Sequence, residues 1–244
     1  MTRVYMPDVT AGATRVEVRG DEAHHLSRVV RVRVGERVGV CDGRGREWRA
    51  LVVEVTRQGV TLELEGEVAP VAEPPVRVTL AVGLLKGDQM DTVVRDATVM
   101  GVTHIVPLVT EHVVVSSRAW REDGALARWQ RVAVAAAKQS QRAVVPTIAG
   151  VTPLADVLAG HASDLALVCL EPSVGSPVDV SWQTLSRPSS VLLLVGPEGG
   201  WSAAEVATFG ARGAHVVSLG PRTLRAEAVP AVTLTVLWST WGWT

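Results

Sequence analysis

The sequence predicts an α/β protein with a mainly parallel sheet and helices on both of its faces, preceded by a small β-rich domain. Three observations carry this reading. Two apolar runs end abruptly in Gly-Pro, Val191-Leu-Leu-Leu-Val-Gly196-Pro197 and His215-Val-Val-Ser-Leu-Gly220-Pro221, as buried parallel strands do where they open into tight loops. After Pro75 strand-like and helix-like stretches alternate, the pattern of a parallel sheet with helical crossovers. Before Val68 short runs of alternating character dominate, the period-two signature of half-buried strands.

In the amino-terminal part, Asp21 to Val30 reads as one or two helical turns. Arg37-Val-Gly-Val-Cys-Asp-Gly43 turns into Glu47-Trp-Arg-Ala-Leu-Val-Val-Glu-Val55, and Val60-Thr-Leu-Glu-Leu-Glu65 follows. Asp42-Gly43-Arg44-Gly45 is a strong hairpin signal, because glycine accepts the positive φ that such turns need. These elements suit a small β-barrel-like domain over residues 1–71. Val68-Ala-Pro-Val-Ala-Glu-Pro74-Pro75 has adjacent prolines and no periodicity, and reads as a linker. A larger domain over residues 76–244 follows. Its strand-like runs are Val78 to Leu85, His104 to Val109, Leu165 to Leu170, Val191 to Val195 and His215 to Leu219. Its helix-like runs are Gln89 to Met100, Leu126 to Arg142, Pro153 to Ala159 and Ala203 to Arg212, with a final apolar run from Val229 to Trp238. Ser202-Ala-Ala-Glu205 is a capping box, which sets a helix amino terminus just beyond the first Gly-Pro loop. Pro230 is compatible with a last helix if it lies in the first turn.

Composition narrows the function classes. With 47% hydrophobic and 20% charged residues in 244 positions the chain is globular, and a net charge of -1 advertises no nucleic-acid partner by itself. No apolar run reaches the roughly 18 residues that span a bilayer, and Met1-Thr-Arg-Val-Tyr-Met-Pro7 lacks the apolar core of a signal peptide. A cytoplasmic protein is expected. Cys41 and Cys169 read as two reduced, buried thiols. The six histidines have no ligand spacing, so no metal is expected.

In open α/β sheets, ligands bind beyond the carboxyl ends of the strands, so the two Gly-Pro loops together suggest a pocket made largely of backbone. Gly196-Pro-Glu-Gly-Gly200 has neither dinucleotide nor P-loop spacing, and its proline removes an N–H that a phosphate cradle would use. In the second loop Arg222, Arg225 and Glu227 stand between a buried strand and a buried helix. They either line a cleft or form an Arg–Glu pair that caps the last helix. In the small domain His24, His25, Arg28, Arg31, Arg33, Arg44 and Arg46 either form a basic face for RNA or, with Glu22, Glu36 and Asp42, a mixed surface.

Taken together these segments resemble the 16S ribosomal RNA (uracil-N3)-methyltransferases of the SPOUT superfamily. The resemblance rests on His24-His-Leu-Ser-Arg-Val-Val-Arg31, Leu84-Leu-Lys-Gly-Asp88, Thr98-Val-Met-Gly101 with Pro107-Leu-Val-Thr-Glu-His112, Ala136-Ala-Lys-Gln-Ser-Gln-Arg142, Val195-Gly-Pro-Glu-Gly-Gly200 and Ser218-Leu-Gly-Pro-Arg-Thr-Leu-Arg-Ala-Glu227. These pieces follow one another in the family's order along nearly the whole chain. The resemblance implies a PUA-like β-barrel domain that helps hold RNA, a methyltransferase domain closed by a trefoil knot, and a homodimer. It implies S-adenosylmethionine as cofactor, touching Leu170, Glu171, Gly196, Pro197, Glu198, Gly199, Gly200, Leu219, Gly220, Leu224 and Arg225. The RNA-binding candidates become His25, Arg28, Arg31, Arg33, Lys86 and Arg142, and the partner is 16S ribosomal RNA in the small ribosomal subunit. Ala228 stands where the family usually has Thr.

Uracil N3 is a poor nucleophile until its proton leaves, so a base or a stabiliser of the anion is needed. Arg225 is the candidate to stabilise charge on the uracil carbonyl oxygens, and Glu227 to act as base or to fix the Arg. Two rival readings are a knotted methyltransferase acting on another RNA site and a non-catalytic RNA-binding or ribosome-assembly module. The first differs in its substrate, the second in binding ribosomal particles without consuming cofactor.

Overall fold

The computed structural model describes residues 1–10, 12–113, 122–160, 162–172 and 181–243. By contacts the chain divides into one unit of Met1–Glu73 with Val134–Val145 and a second of Pro74–Ala133 with Pro146–Thr244. The expected division at the double proline misses the short segment Val134–Val145, whose composition gives no sign that it packs with residues far earlier in the chain.

In the first unit, alternation builds the core. Val38 and Val40 on β3 (Arg37–Cys41), Trp48, Ala50 and Val52 on β4 (Glu47–Val55), and Val60 and Leu62 on β5 (Val60–Val68) are all buried together. Residues two apart on a strand share a face, so one register buries the whole set. With β1 (Arg3–Tyr5) and β2 (Arg15–Val18) the sheet runs β1-β3-β4-β5-β2, antiparallel except for the β1–β3 pair. Irregular registers at Arg49/Ala50 and Val52/Glu54 bend the two long strands. The expected helical turns are α1 (Gly20–His24) and a π-helical turn over His25–Val30, stopped by Arg31 at φ 61°. They bury Ala23 and Leu26 and leave Arg28, Val29, Val30 and Arg31 exposed. The Asp42 carboxylate accepts from the N–H groups of Arg44 and Arg46 at 2.8 and 3.1 Å, which closes the predicted hairpin. Lys138 binds both carboxylate oxygens of Glu22 at 2.8 Å, and Arg142 holds Glu73.

Among the described residues of the second unit every strand pair is parallel. The order is β12-β10-β11-β6-β7-β8, from β6 (Arg77–Gly83), β7 (His104–Val109), β8 (Thr147–Ile148), β10 (Leu165–Cys169), β11 (Ser190–Val195) and β12 (His215–Val217), with β9 (Thr152–Pro153) also on β7. Helices cover both faces. Ala81, Val168, Leu192 and Leu194 pack with Leu154 and Val157 of α4 (Leu154–Gly160) and Phe209 of α5 (Ala203–Ala211). On the opposite face the Cys169 Sγ lies 3.4 Å from Thr233 Oγ1 of α6 (Val229–Thr240). There α6 packs on α2 (Gln89–Val99), and Trp238 donates its indole N–H to the Met100 carbonyl at 2.8 Å. Pro230 sits in the first turn of α6. The remaining helix, α3, spans Glu122–Gln139. Element bounds differ from the sequence expectation by a few residues at most, the usual fraying of helix and strand ends. The trefoil knot that the resemblance implies concerns the carboxyl-terminal part of the chain, of which 173–180 lie outside the described residues. Among the described residues no helix is long and apolar enough to cross a membrane.

Candidate active site

Because β12, β10, β11 and β6 are parallel neighbours, their carboxyl ends share one edge of the sheet. The chain beyond each of them lines a single cavity of about 340 Å3. Cys169 to Pro172 stand at the end of β10, Val195 to Trp201 without Gly199 at the end of β11, and Leu219 to Val229 without Pro221 and Ala228 beyond β12, while Gln89 comes from the start of α2. The volume falls within the usual range for small-molecule sites, roughly 300–1,000 Å3.

The wall after β11 is held from several sides. Gly83, at the end of β6, runs so close to Pro197 that a Cβ would come within 2.6 Å of the proline nitrogen and Cδ. The Gly196 backbone lies against the Trp201 ring, where a Cβ would stand 3.2 Å from it. Trp201 donates its N–H to the Cys169 carbonyl at 3.1 Å and meets Phe209 edge-on at 4.9 Å. The Glu198 carboxylate accepts the Lys86 backbone N–H at 2.9 Å. His112 donates from Nδ1 to the Gly199 carbonyl at 2.9 Å. Gly200 turns the chain at φ 67° into the capping box, in which Ser202 and Glu205 satisfy each other's backbone N–H groups at 3.1 and 2.9 Å. The other Glu205 oxygen takes the N–H of Glu111 at 3.0 Å. Burial pushes the Cys169 thiol beneath this wall up to about 11.

The wall after β12 has fewer restraints. Trp182 donates to the Ser218 carbonyl at 2.8 Å, and Ser218 Oγ accepts the Gly220 N–H at 3.2 Å. Gly220 has φ 106°, and a Cβ there would enter open space. Arg225 is 85% exposed in its side chain and lies 3.9 Å from the Glu227 carboxylate, which is only 18% exposed. So long and solvated a pair holds little energy, and the N-cap of α6 is Ala228, which lacks a capping side chain. The ion-pair reading therefore accounts for little of this arrangement, and both side chains are set at the cavity.

Of the residues expected around a cofactor, Leu170, Glu171, Gly196, Pro197, Glu198, Gly200, Leu219, Gly220, Leu224 and Arg225 line the cavity, as does Glu227. Gly199 does not; its α-carbon faces His112, where a Cβ would meet the His112 Cβ at 2.9 Å. Lys86 is exposed and serves the site through its backbone. Arg142 needs correction as an RNA contact. It is 5% exposed and grips Glu73 at 2.6 to 2.9 Å, a pairing that position within a motif cannot reveal. Arg28, Arg31 and Arg33 are exposed and His25 half-buried. Arg46 is held by Glu67 and stacked over Trp48, so that part of the surface is mixed in charge. Sequence reasoning missed Gln89, Trp201 and Thr223 as lining residues. Gln89 directly follows the motif ending at Asp88, and its place in a helix's first turn beyond a strand was the available signal. Among the described residues no cluster of three or more His, Cys, Asp or Glu is placed to hold a metal ion.

Residues 72–238 match the RNA methyltransferase domain family, and residues 18–65 match the RNA methyltransferase PUA domain family. The chain is 35% identical over 237 residues to the ribosomal RNA small subunit methyltransferase E of Synechocystis, covering 95% of this chain and 75% of that protein. It is also 35% identical over 238 residues to the protein of that name from Mycobacterium tuberculosis, covering 94% and 87% of the two chains. The crystal structure of the same methyltransferase from Neisseria gonorrhoeae, bound to S-adenosylmethionine, superposes with a TM-score of 0.88 at 27% identity over 99% of this chain and 98% of that one. A Legionella pneumophila methyltransferase in complex with the same cofactor gives 0.89 at 26% identity, with 99% and 98% covered. Both domains are thus matched in order along the chain, and the chain belongs to the RNA methyltransferase family that includes the ribosomal RNA small subunit methyltransferases E.

Proposed function

We propose that this protein transfers a methyl group from S-adenosylmethionine to N3 of a specific uridine in the 16S ribosomal RNA of the small subunit, as a cytoplasmic homodimer. The observation that carries the reading is the convergence of three strand-end loops and the start of α2 on one cavity that also receives Arg225 and Glu227. The residues present fit the cofactor. Gly196 and Gly220 leave backbone accessible, Leu170, Leu219, Val195 and Trp201 offer apolar surface for an adenine, and carboxylates at Glu171, Glu198 and Glu227 suit a cationic ligand. When bound, S-adenosylmethionine supplies a methyl group on a positively charged sulfur.

The protein's own task is to make N3 nucleophilic and to hold it in line. Glu227, largely shielded from solvent, is suited to accept the N3 proton, and Arg225 beside it to stabilise charge gathering on the uracil oxygens. The first unit supplies RNA affinity, with Arg28 exposed on its π-helical turn and Arg31 and Arg33 exposed just beyond it. Exposed Val99 on α2 and Val232 on α6 give two packed helices apolar positions suited to a second copy.

The test is incubation with S-adenosylmethionine and small ribosomal subunits lacking the modification, followed by nucleoside mass spectrometry. 3-Methyluridine, with a reverse-transcription stop at one uridine, is the expected result. Cofactor binding with a product on another nucleoside or another RNA would overturn the assigned target.

A further inference from the structure

Glu198 and Gly200 line the cavity, but Gly199 between them does not. Its φ lies outside the left-handed region, so backbone conformation does not demand glycine there. Close approach does: a Cβ would stand 2.9 Å from the His112 Cβ and 3.1 Å from the His112 carbonyl oxygen. Gly199 thus admits the turn that follows β7 to the back of the cavity wall. The same turn is tied a second time, by the Glu111 N–H on the buried Glu205 carboxylate at 3.0 Å. The peptide that joins Gly199 to Gly200 is held at both of its polar groups. Its N–H, on Gly200, donates to the Pro197 carbonyl at 2.9 Å. Its carbonyl, on Gly199, accepts from His112 Nδ1 at 2.9 Å, and because a carbonyl has no proton to give, Nδ1 carries it. A peptide flanked by two glycines is freer to rotate than other peptides, so the second restraint matters.

Resting on the methyltransferase reading, we propose that His112 is a positioning residue for the methyl donor: its Nδ1–H locks the Gly199–Gly200 peptide, and with it the Gly200 end of the wall, in the conformation that receives S-adenosylmethionine. His112 works from behind the wall and needs no contact with cofactor or RNA. The lock is independent of the methyl group. It therefore acts equally on S-adenosylmethionine and on the demethylated product, S-adenosylhomocysteine.

Isothermal titration of the full chain with both compounds, without RNA, tests the proposal through three variants. His112→Leu removes the donor and is expected to weaken both compounds about fivefold, the loss of one neutral hydrogen bond. His112→Asn carries an N–H donor two bonds from its Cβ, as Nδ1 is, and is expected to bind within about twofold of the parent. His112→Asp has the shape of Asn but only accepts when ionised, and is expected to bind no better than the Leu variant. In turnover with small ribosomal subunits, His112→Leu should raise the KM for cofactor while kcat at saturating cofactor and the KM for RNA stay within about twofold. Thermal melting of each variant accompanies the titrations. Equal weakening by Leu and Asn would overturn the assignment in favour of ring packing, and losses that track the melting temperature would overturn it in favour of a structural role alone. Unchanged cofactor affinity in His112→Leu with a raised KM for RNA would overturn it in favour of a substrate contact. A parent protein that binds neither compound would overturn the methyltransferase reading, and the proposal with it.

Discussion

The two walls of the cavity differ in how they are held. The segment Gly196–Gly200 is braced from strand, helix and loop by Gly83, Trp201, the Lys86 N–H and His112. The segment Gly220–Arg225 rests on Ser218 and Trp182 and carries its arginines into solvent. A wall built of backbone must be rigid, because its N–H and C=O groups cannot rotate to find a ligand. A wall that works through long side chains can leave its backbone lightly tied. Under the proposed function, the braced wall would hold the cofactor and the lightly tied wall would act on the incoming RNA.

This contrast is open to attack at four points. The largest effect on stability is expected from Trp201→Ala, which deletes a buried ring that packs on Gly196 and Phe209 and bonds Cys169. A loss of about 3–5 kcal/mol in chemical denaturation is expected, together with loss of cofactor binding. Gly83→Ala comes next, because its Cβ would overlap backbone of Pro197 rather than the end of a flexible side chain. It should cost about 1–3 kcal/mol and weaken the cofactor at least tenfold by titration.

A smaller effect is expected from pH. Burial raises the Cys41 and Cys169 thiols from 9.0 to about 11. The unfolded chain therefore ionises them first, and their contribution to stability is present below pH 9 and lost as pH rises towards 11. Denaturation midpoints across that window should fall more for the parent than for a Cys41→Ala, Cys169→Ala double variant, and alkylation of the native protein at pH 8 should be slow at both thiols. Least affected in stability is Arg225→Ala, within about 0.5 kcal/mol because the side chain is so exposed. Methyl transfer, measured by nucleoside mass spectrometry, should nevertheless be lost while cofactor affinity stays within a few-fold. Full activity in that variant would remove Arg225 from the mechanism.

Much of the fold was legible before any coordinates. The strand end at Val195 was marked by Gly-Pro, and Ser202-Ala-Ala-Glu205 announced its own helix, because turns and caps are decided within a few residues. The strand β12 stops at Val217, two residues short of the expected Leu219. The cluster Arg222, Arg225 and Glu227 was legible as charge between buried elements. Other features were not. Gly199 and Arg142 sit inside motifs whose neighbours do what was expected, yet one faces His112 and the other is sealed against Glu73. Which side of a loop a residue turns to, and whether an arginine is solvated, depend on partners far away in the chain.

The amino-acid sequence by itself determined the class of the fold, the loops that carry the site and, through the ordered motifs, the family. The class and the loops follow from local physics, namely hydrophobic periodicity, glycine's freedom of φ and proline's lack of an N–H, whereas the family rests on the resemblance of the motifs alone. Only the tertiary structure decided that β12, β10, β11 and β6 lie side by side, and hence that three separate strand ends meet at one cavity. It also decided that Gln89 joins them and that Val134–Val145 packs with the first unit. Strand order is chosen by the packing of whole helices against a sheet, a non-local free energy that no short window of sequence contains.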